Sequence, residues 1–195
     1  MNFLAHAYLS FNNSEILVGN MISDFVKGNK KFDYPIPVQN GITLHRLIDE
    51  FTDNHLATKN AKKIFNHELG LYAGAYVDIV FDYFLANDVN EFADEIALQN
   101  FAANTYSKLD EHYDIFPATF QLAFTSMKQH NWFINYRKDA GIQRSFENLT
   151  RRAKYVNKNH FGFEAFIKNK KNLKVYYDIF FKDLKQFVLQ QHQLL

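Results

Sequence analysis

The 195-residue sequence contains no cysteine. Disulfides, cysteine-ligated zinc and thiol nucleophiles are therefore excluded, and the composition suits a reducing cytoplasm. Glycine and proline are scarce, at 7 and 3 copies. So few breakers argue against a turn-rich β fold and for long packed helices. No apolar run of about 18 residues occurs, so no transmembrane helix and no membrane role are expected. The opening Met1-Asn2-Phe3-Leu4-Ala5-His6 has no basic stretch and no sustained apolar core, unlike a signal peptide. A formal net charge of +1 is too small to argue for a nucleic-acid partner. A glycine-rich phosphate loop and a Gly-x-Ser-x-Gly elbow are also missing.

Bulky aromatics are plentiful, with 21 Phe and 11 Tyr, and the length suits one all-α domain over residues 1–195, a helical bundle. A short helix is expected within residues 2–11. A second runs from Glu15 to Val26 behind Ser14 as N-cap and stops at Gly28-Asn29. Lys30 to Pro37 reads as a loop. Helices follow from Val38 to Asp53 and from Ala57 to His67, with a bend at Asn54-His55 and a break at Gly70. Leu71 to Asn87 is strongly apolar. Further helices are expected over Glu91–Tyr113, with a break near Leu98, from Pro117 to His130, and over Trp132–Arg137. Gly141 is expected to precede a basic helix over Ile142–Tyr155, and His160-Phe161-Gly162 to turn. Phe163–Leu194 reads as one short and one long helix.

The chemistry centres on residues 41–53. His45, Asp49 and Asp53 recur every fourth residue, so they lie along one slowly drifting helix face. Such a face either makes ordinary salt bridges or holds a metal ion. Asp78 and Asp82, four apart in the most apolar helix, favour the second reading. Buried like charges repel, and a divalent cation compensates them. Asp24 and His6 are further candidates. A His/Asp set without cysteine suits Mn²⁺ or Mg²⁺, with Fe²⁺ or Zn²⁺ as alternatives. A helical bundle can project such ligands inward, and the ion lowers the pKa of bound water and polarises a phosphoryl oxygen. The expected chemistry is metal-assisted phosphoester hydrolysis. His55, just past Asp53, is a candidate for the rim. The remaining histidines lack partners at helical spacing. The basic face of Ile142–Lys154, with Arg144, Arg151 and Arg152, is either a solvated surface or a docking patch that Lys27, Lys30 and Lys31 extend.

On these residues the chain resembles the acyl carrier protein phosphodiesterase (acyl carrier protein hydrolase) family. The resemblance runs through Met1-Asn2-Phe3-Leu4-Ala5-His6 and Gly19-Asn20-x-x-x-Asp24-Phe25-Val26-Lys27-Gly28. It continues in Gly41-Ile42-x-x-His45-Arg46-x-Ile48-Asp49-x-x-Thr52-Asp53 and Asp78-x-x-x-Asp82-x-Phe84-Leu85. It is weaker at Trp132-x-x-x-Tyr136 and Arg151-Arg152. It implies an all-helical fold related to the HD-type metal-dependent phosphohydrolases. It also implies removal of 4′-phosphopantetheine from acyl carrier protein, and a divalent cation with Mn²⁺ favoured. Its metal positions map to Asp24, His45, Asp49 and Asp78, with His6, Asp53 and Asp82 as further candidates. One departure stands out: the family commonly has Asp-His-Phe-Leu where this chain has Asp82-Tyr83-Phe84-Leu85.

The expected catalytic group is His45, Arg46, Asp49 and His55. Arg46 neutralises charge on the phosphoryl oxygens, and His55 is a candidate acid for the leaving serine oxygen. The acidic carrier docks on Lys27, Lys30, Lys31, Arg144, Arg151 and Arg152. Two rival readings are a phosphohydrolase acting on a nucleotide or other small phosphodiester, and a non-catalytic carrier-binding homologue.

Overall fold

A bundle of ten α-helices emerges in the computed structural model, which describes residues 1–152 and 161–195, apart from the side chains at positions 68 and 152. The first five are α1 (Phe3–Tyr8), α2 (Ser14–Ile22), α3 (Ile36–Asn54), α4 (Leu56–Leu69) and α5 (Ala73–Ala86). The others are α6 (Glu95–Asp110), α7 (Ala118–Gln129), α8 (Trp132–Tyr136), α9 (Asp139–Arg152) and α10 (Phe161–His192). Short 3₁₀ turns cover Ser23–Phe25, Gly28–Asp33, Gly70–Tyr72 and Tyr113–Ile115. No strand occurs among the described residues, and none of the described helices is long and apolar enough to cross a membrane.

Side-chain caps set several starts. Asn2, Asn13, His55 and Asp94 accept from free N–H groups at the heads of α1, α2, α4 and α6. Asn13 thus takes the capping role expected of Ser14, which is the first residue of α2. The second expected helix stops at Ile22 and tightens into the Ser23–Phe25 turn, so Asp24 sits beyond the α-helix. The expected loop after Gly28 begins as a 3₁₀ turn.

Two glycines govern the tightest pairing, α2 against α3. A Cβ on Gly19 would lie 2.0 Å from the Val38 carbonyl oxygen, and one on Gly41 would lie 2.3 Å from that of Ile16. The two backbones therefore touch, which no side chain would permit. α5 is buried over most of its circumference and packs on α1, α4, α8, α9 and α10. A helix apolar on nearly all sides belongs in the middle of a bundle. α10, about 48 Å long at 1.5 Å per residue, runs past α3, α4, α5 and α9.

Three expectations fail for packing reasons. α6 is continuous through Leu98, whose fully buried side chain anchors the helix there. Gly141 lies inside α9, because α9 begins at Asp139 and crosses close to the Asn135 carbonyl. Gly162 likewise lies inside a single α10, where the ring of Tyr76 fills the space a Cβ would take.

Candidate metal centre

The α2–α3 crossing brings the second turn of one helix beside the middle of the other. His45 on α3 and His6 on α1 are both buried, and their rings stack with centroids 3.9 Å apart. The Nε2 atoms of His6 and His45 lie 3.3 Å and 3.1 Å from the two oxygens of Asp49. Asp24 joins from the 3₁₀ turn, its Oδ1 3.2 Å from His45 Nε2. His6, His45 and Asp49 can each offer one ligand atom with all three atoms within 4.8 Å of one another. The site opens on its carboxylate side: the Asp24 and Asp49 side chains are 69% and 42% exposed, against 3% and 6% for the two histidines.

The electrostatics match a cation site. Burial lowers the His45 pKa, but hydrogen bonds and charge from Asp24 and Asp49 overcome it and raise the value to about 9. Burial and the neighbouring His45 charge push His6 down to about 4, against the opposing pull of Asp49. Asp49 is held well below the usual carboxylate range, since the two imidazoles outweigh its burial. His45 holds Asp24 low as well. The buried His6 Nε2 has no hydrogen-bond partner. An orphaned imidazole nitrogen facing a carboxylate oxygen fits a site for a divalent ion.

The structure places the other sequence candidates as follows. Asp78 borders the group through the Met1 amine, which lies 3.2 Å from Asp78 Oδ1 and 3.5 Å from Asp49 Oδ1. Asp82 is fully buried and accepts from the N–H groups of Asn2 (3.3 Å), Leu4 (2.8 Å) and Ala5 (3.3 Å). It therefore holds the head of α1, and with it His6. Burial raises its pKa to about 7 against those donors and the nearby amine. Asp53 pairs with Lys62 on α4 at 2.6 Å. Eight residues carry it about 12 Å along the helix from His45, beyond the reach of a single coordination sphere. His55 caps α4 through Nδ1 and faces Asp183 at 3.2 Å through Nε2, so it is not brought to the group. Arg46 donates to the Val26 carbonyl at 3.4 Å, next to the segment carrying Asp24.

Tyr83 falls on a different face of α5. It packs against Phe166 with centroids 5.2 Å apart and lies under the Lys170 ammonium. Asp78 and Asp82 are turned away from that face, which α9 and α10 cover. The departure at Tyr83 therefore leaves the His/Asp group untouched.

Lys27 and Lys30 are exposed, three and six residues past Asp24 in sequence, and Lys31 donates to Thr43 at 3.3 Å. Arg144 and Arg151 lie on α9, across α5 from the group. The Arg152 side chain, Lys154 and His160 lie outside the described residues. A groove of about 590 Å³ lined by Asp88, Glu91, Tyr177, Phe181 and Lys185 contains no member of the group.

Asn20 is the residue that sequence reasoning missed. Its backbone oxygen lies 2.7 Å from His45 Nδ1, and its side-chain oxygen 2.8 Å from His6 Nδ1. The signal available was its place four residues before Asp24 in an apolar helix.

The sequence model of the acyl carrier protein phosphodiesterase family matches residues 1–184. The chain belongs to this family. Three relatives bear the name acyl carrier protein phosphodiesterase. The Photorhabdus laumondii protein is 32% identical over 152 residues, covering 78% of this chain and 77% of its own. A Salmonella paratyphi A protein is 32% identical, covering 78% and 79%, and an Enterobacter protein is 33% identical over the same shares. No solved structure matches the chain.

Proposed function

We propose that this chain hydrolyses the phosphodiester joining 4′-phosphopantetheine to acyl carrier protein, giving the apo carrier and free phosphopantetheine. The observation that carries the reading is the convergence of His6 and His45 Nε2 on Asp49, in a chain of this family. A nitrogen and oxygen donor set suits a hard to borderline divalent ion, with Mn²⁺ favoured over Mg²⁺, Fe²⁺ or Zn²⁺. His6, His45, Asp49 and Asp24 would hold it, with Asp78 at the edge. Bound there, such an ion lowers the pKa of water and draws charge from a phosphoryl oxygen.

The chain's own residues do the rest. The buried histidines stay fixed while Asp24 and Asp49 meet solvent, so substrate approaches from the carboxylate side. Arg46, adjacent to His45 in sequence and exposed, neutralises charge on the phosphoryl oxygens. Water attacks phosphorus, the bond to the carrier's serine oxygen breaks, and that oxygen takes a proton from solvent at the open edge. His55 is not assigned this step, because it is engaged at the head of α4. The acidic carrier docks on Lys27, Lys30 and Lys31, in the segment that follows Asp24. Arg144, Arg151 and Arg152 on α9 make at most a second contact area. The reaction belongs in the cytoplasm, in keeping with a cysteine-free chain.

Intact-mass measurement of holo-carrier incubated with the chain and Mn²⁺ tests the reading. The expected result is conversion to the apo mass. No conversion with Mn²⁺, Mg²⁺, Fe²⁺ or Zn²⁺ overturns it. Turnover of small phosphodiesters alone would then favour a nucleotide or related substrate. Carrier binding without metal or turnover would favour a non-catalytic homologue.

A further inference from the structure

Asn20 touches both histidines of the group and is itself fully buried. The hydrogen bonds around it admit one arrangement. Its Nδ2 donates to the His6 carbonyl oxygen at 2.9 Å and to Ser10 Oγ at 3.1 Å. The Ser10 hydroxyl donates to the same His6 carbonyl at 2.8 Å, which leaves its oxygen free to accept. The amide of Asn20 is thereby fixed with Oδ1 toward His6 Nδ1, 2.8 Å away. An amide oxygen only accepts, so His6 carries its proton on Nδ1. The Asn20 backbone oxygen, 2.7 Å from His45 Nδ1, imposes the same choice there. With Nδ1 committed as a donor on both rings, both Nε2 atoms face Asp49, and the neutral His6 ring turns its Nε2 lone pair there. This arrangement accounts for the orphaned Nε2 of His6.

We propose that Asn20 is a positioning residue that holds both imidazoles by Nδ1 with Nε2 toward one point, so that Nε2 is the nitrogen each ring offers to a divalent cation. The proposal rests on the metal reading for its purpose but not for its geometry. Side chain and backbone act separately: the side chain controls His6, and the backbone controls His45. Without the Asn20 side chain, His6 gains by moving its proton to Nε2 and donating to Asp49 Oδ1, 3.3 Å away. A ligand nitrogen is then blocked by its own proton.

Nitrogen-15 NMR of the histidine rings, on the metal-free 195-residue chain near neutral pH, reads the tautomer directly. In wild type, the His6 signals should report a proton on Nδ1. In Asn20→Ala they should report a proton on Nε2, while the His45 Nδ1–H signal persists. Titration with Mn²⁺ should then show at least about a tenfold loss of affinity. Asn20→Asp keeps an acceptor at Nδ1 and should retain the wild-type tautomer. A wild-type His6 protonated on Nε2 overturns the proposal with no variant required. So does an Asn20→Ala protein that keeps both the tautomer and the Mn²⁺ affinity. If wild type binds no metal but the tautomer moves as stated, the metal reading fails and the positioning role stands.

Discussion

His6 and His45 stack face to face, 13° from parallel, with both Nε2 atoms directed at the single carboxylate of Asp49. Two imidazoles from helices 39 residues apart in sequence meet on one acceptor. The contact is stable in the metal-free chain only with a proton on one ring, and the carboxylates of Asp24 and Asp49 beside His45 assign that proton to it. The predictions below start from this pair.

Removing a ligand should remove the metal. Protein purified in the presence of Mn²⁺ is expected to retain it in wild type and to lose it in His45→Ala and Asp49→Ala, as read by elemental analysis. Asp53→Ala should retain it, since that carboxylate pairs with Lys62. Retention by His45→Ala would count against the assignment.

The two histidines pull the metal-free stability in opposite directions with pH. The folded pKa of His45 is raised from 6.5 to about 9. Its stabilisation is therefore complete below pH 6.5 and is lost as pH rises through about 9. The folded pKa of His6 is lowered from 6.5 to about 4. The unfolded chain takes up that proton first, so stability falls as pH drops from 6.5 through about 4. Thermal melts of metal-free protein should peak between the two limbs. His45→Gln should flatten the alkaline limb, and an unchanged limb would refute its origin.

Asp82 is expected to act on stability rather than on metal. Asp82→Ala leaves three N–H groups at the head of α1 without their acceptor. A loss of about 3 kcal/mol is expected by denaturant titration, while the folded fraction still binds Mn²⁺. Full stability with no metal binding would instead make Asp82 a ligand.

Gly41→Ala should disturb both fold and site. Its Cβ would sit 2.3 Å from the Ile16 carbonyl oxygen, so α2 and α3 must separate. A cost of about 3 kcal/mol is expected. The His45 Nδ1 bond to the Asn20 oxygen should weaken with it, which ring NMR would detect.

Tyr83→His should leave Mn²⁺ stoichiometry unchanged. The side chain faces Phe166 and Lys170, on the side of α5 away from Asp49. A gain of one metal equivalent would contradict that placement.

Much of the site was legible in local spacing. His45 and Asp49 are one turn apart on a regular helix, so their shared face follows from sequence alone. The limits of that logic fall on the same helix. Spacing continued the face to Asp53, but helical rise moves Asp53 toward α4 and its Lys62. Asp82 shares a face with Asp78, yet it holds the head of α1, a long-range contact with no local signature. His55 has a suitable side chain but serves as a cap.

The sequence by itself determined an all-helical chain, because apolar periodicity with so few glycines and prolines leaves little else to form. It also limited the candidate ligand types to His and Asp, which recur on helix faces in a cysteine-free chain. The tertiary structure alone decided which of them meet. The backbone contact of Gly19 and Gly41 sets α2 against α3, so that one buried amide, Asn20, orients both imidazoles. The approach depends on helices that are not neighbours in sequence, and helical periodicity carries no information about the distance between two helices.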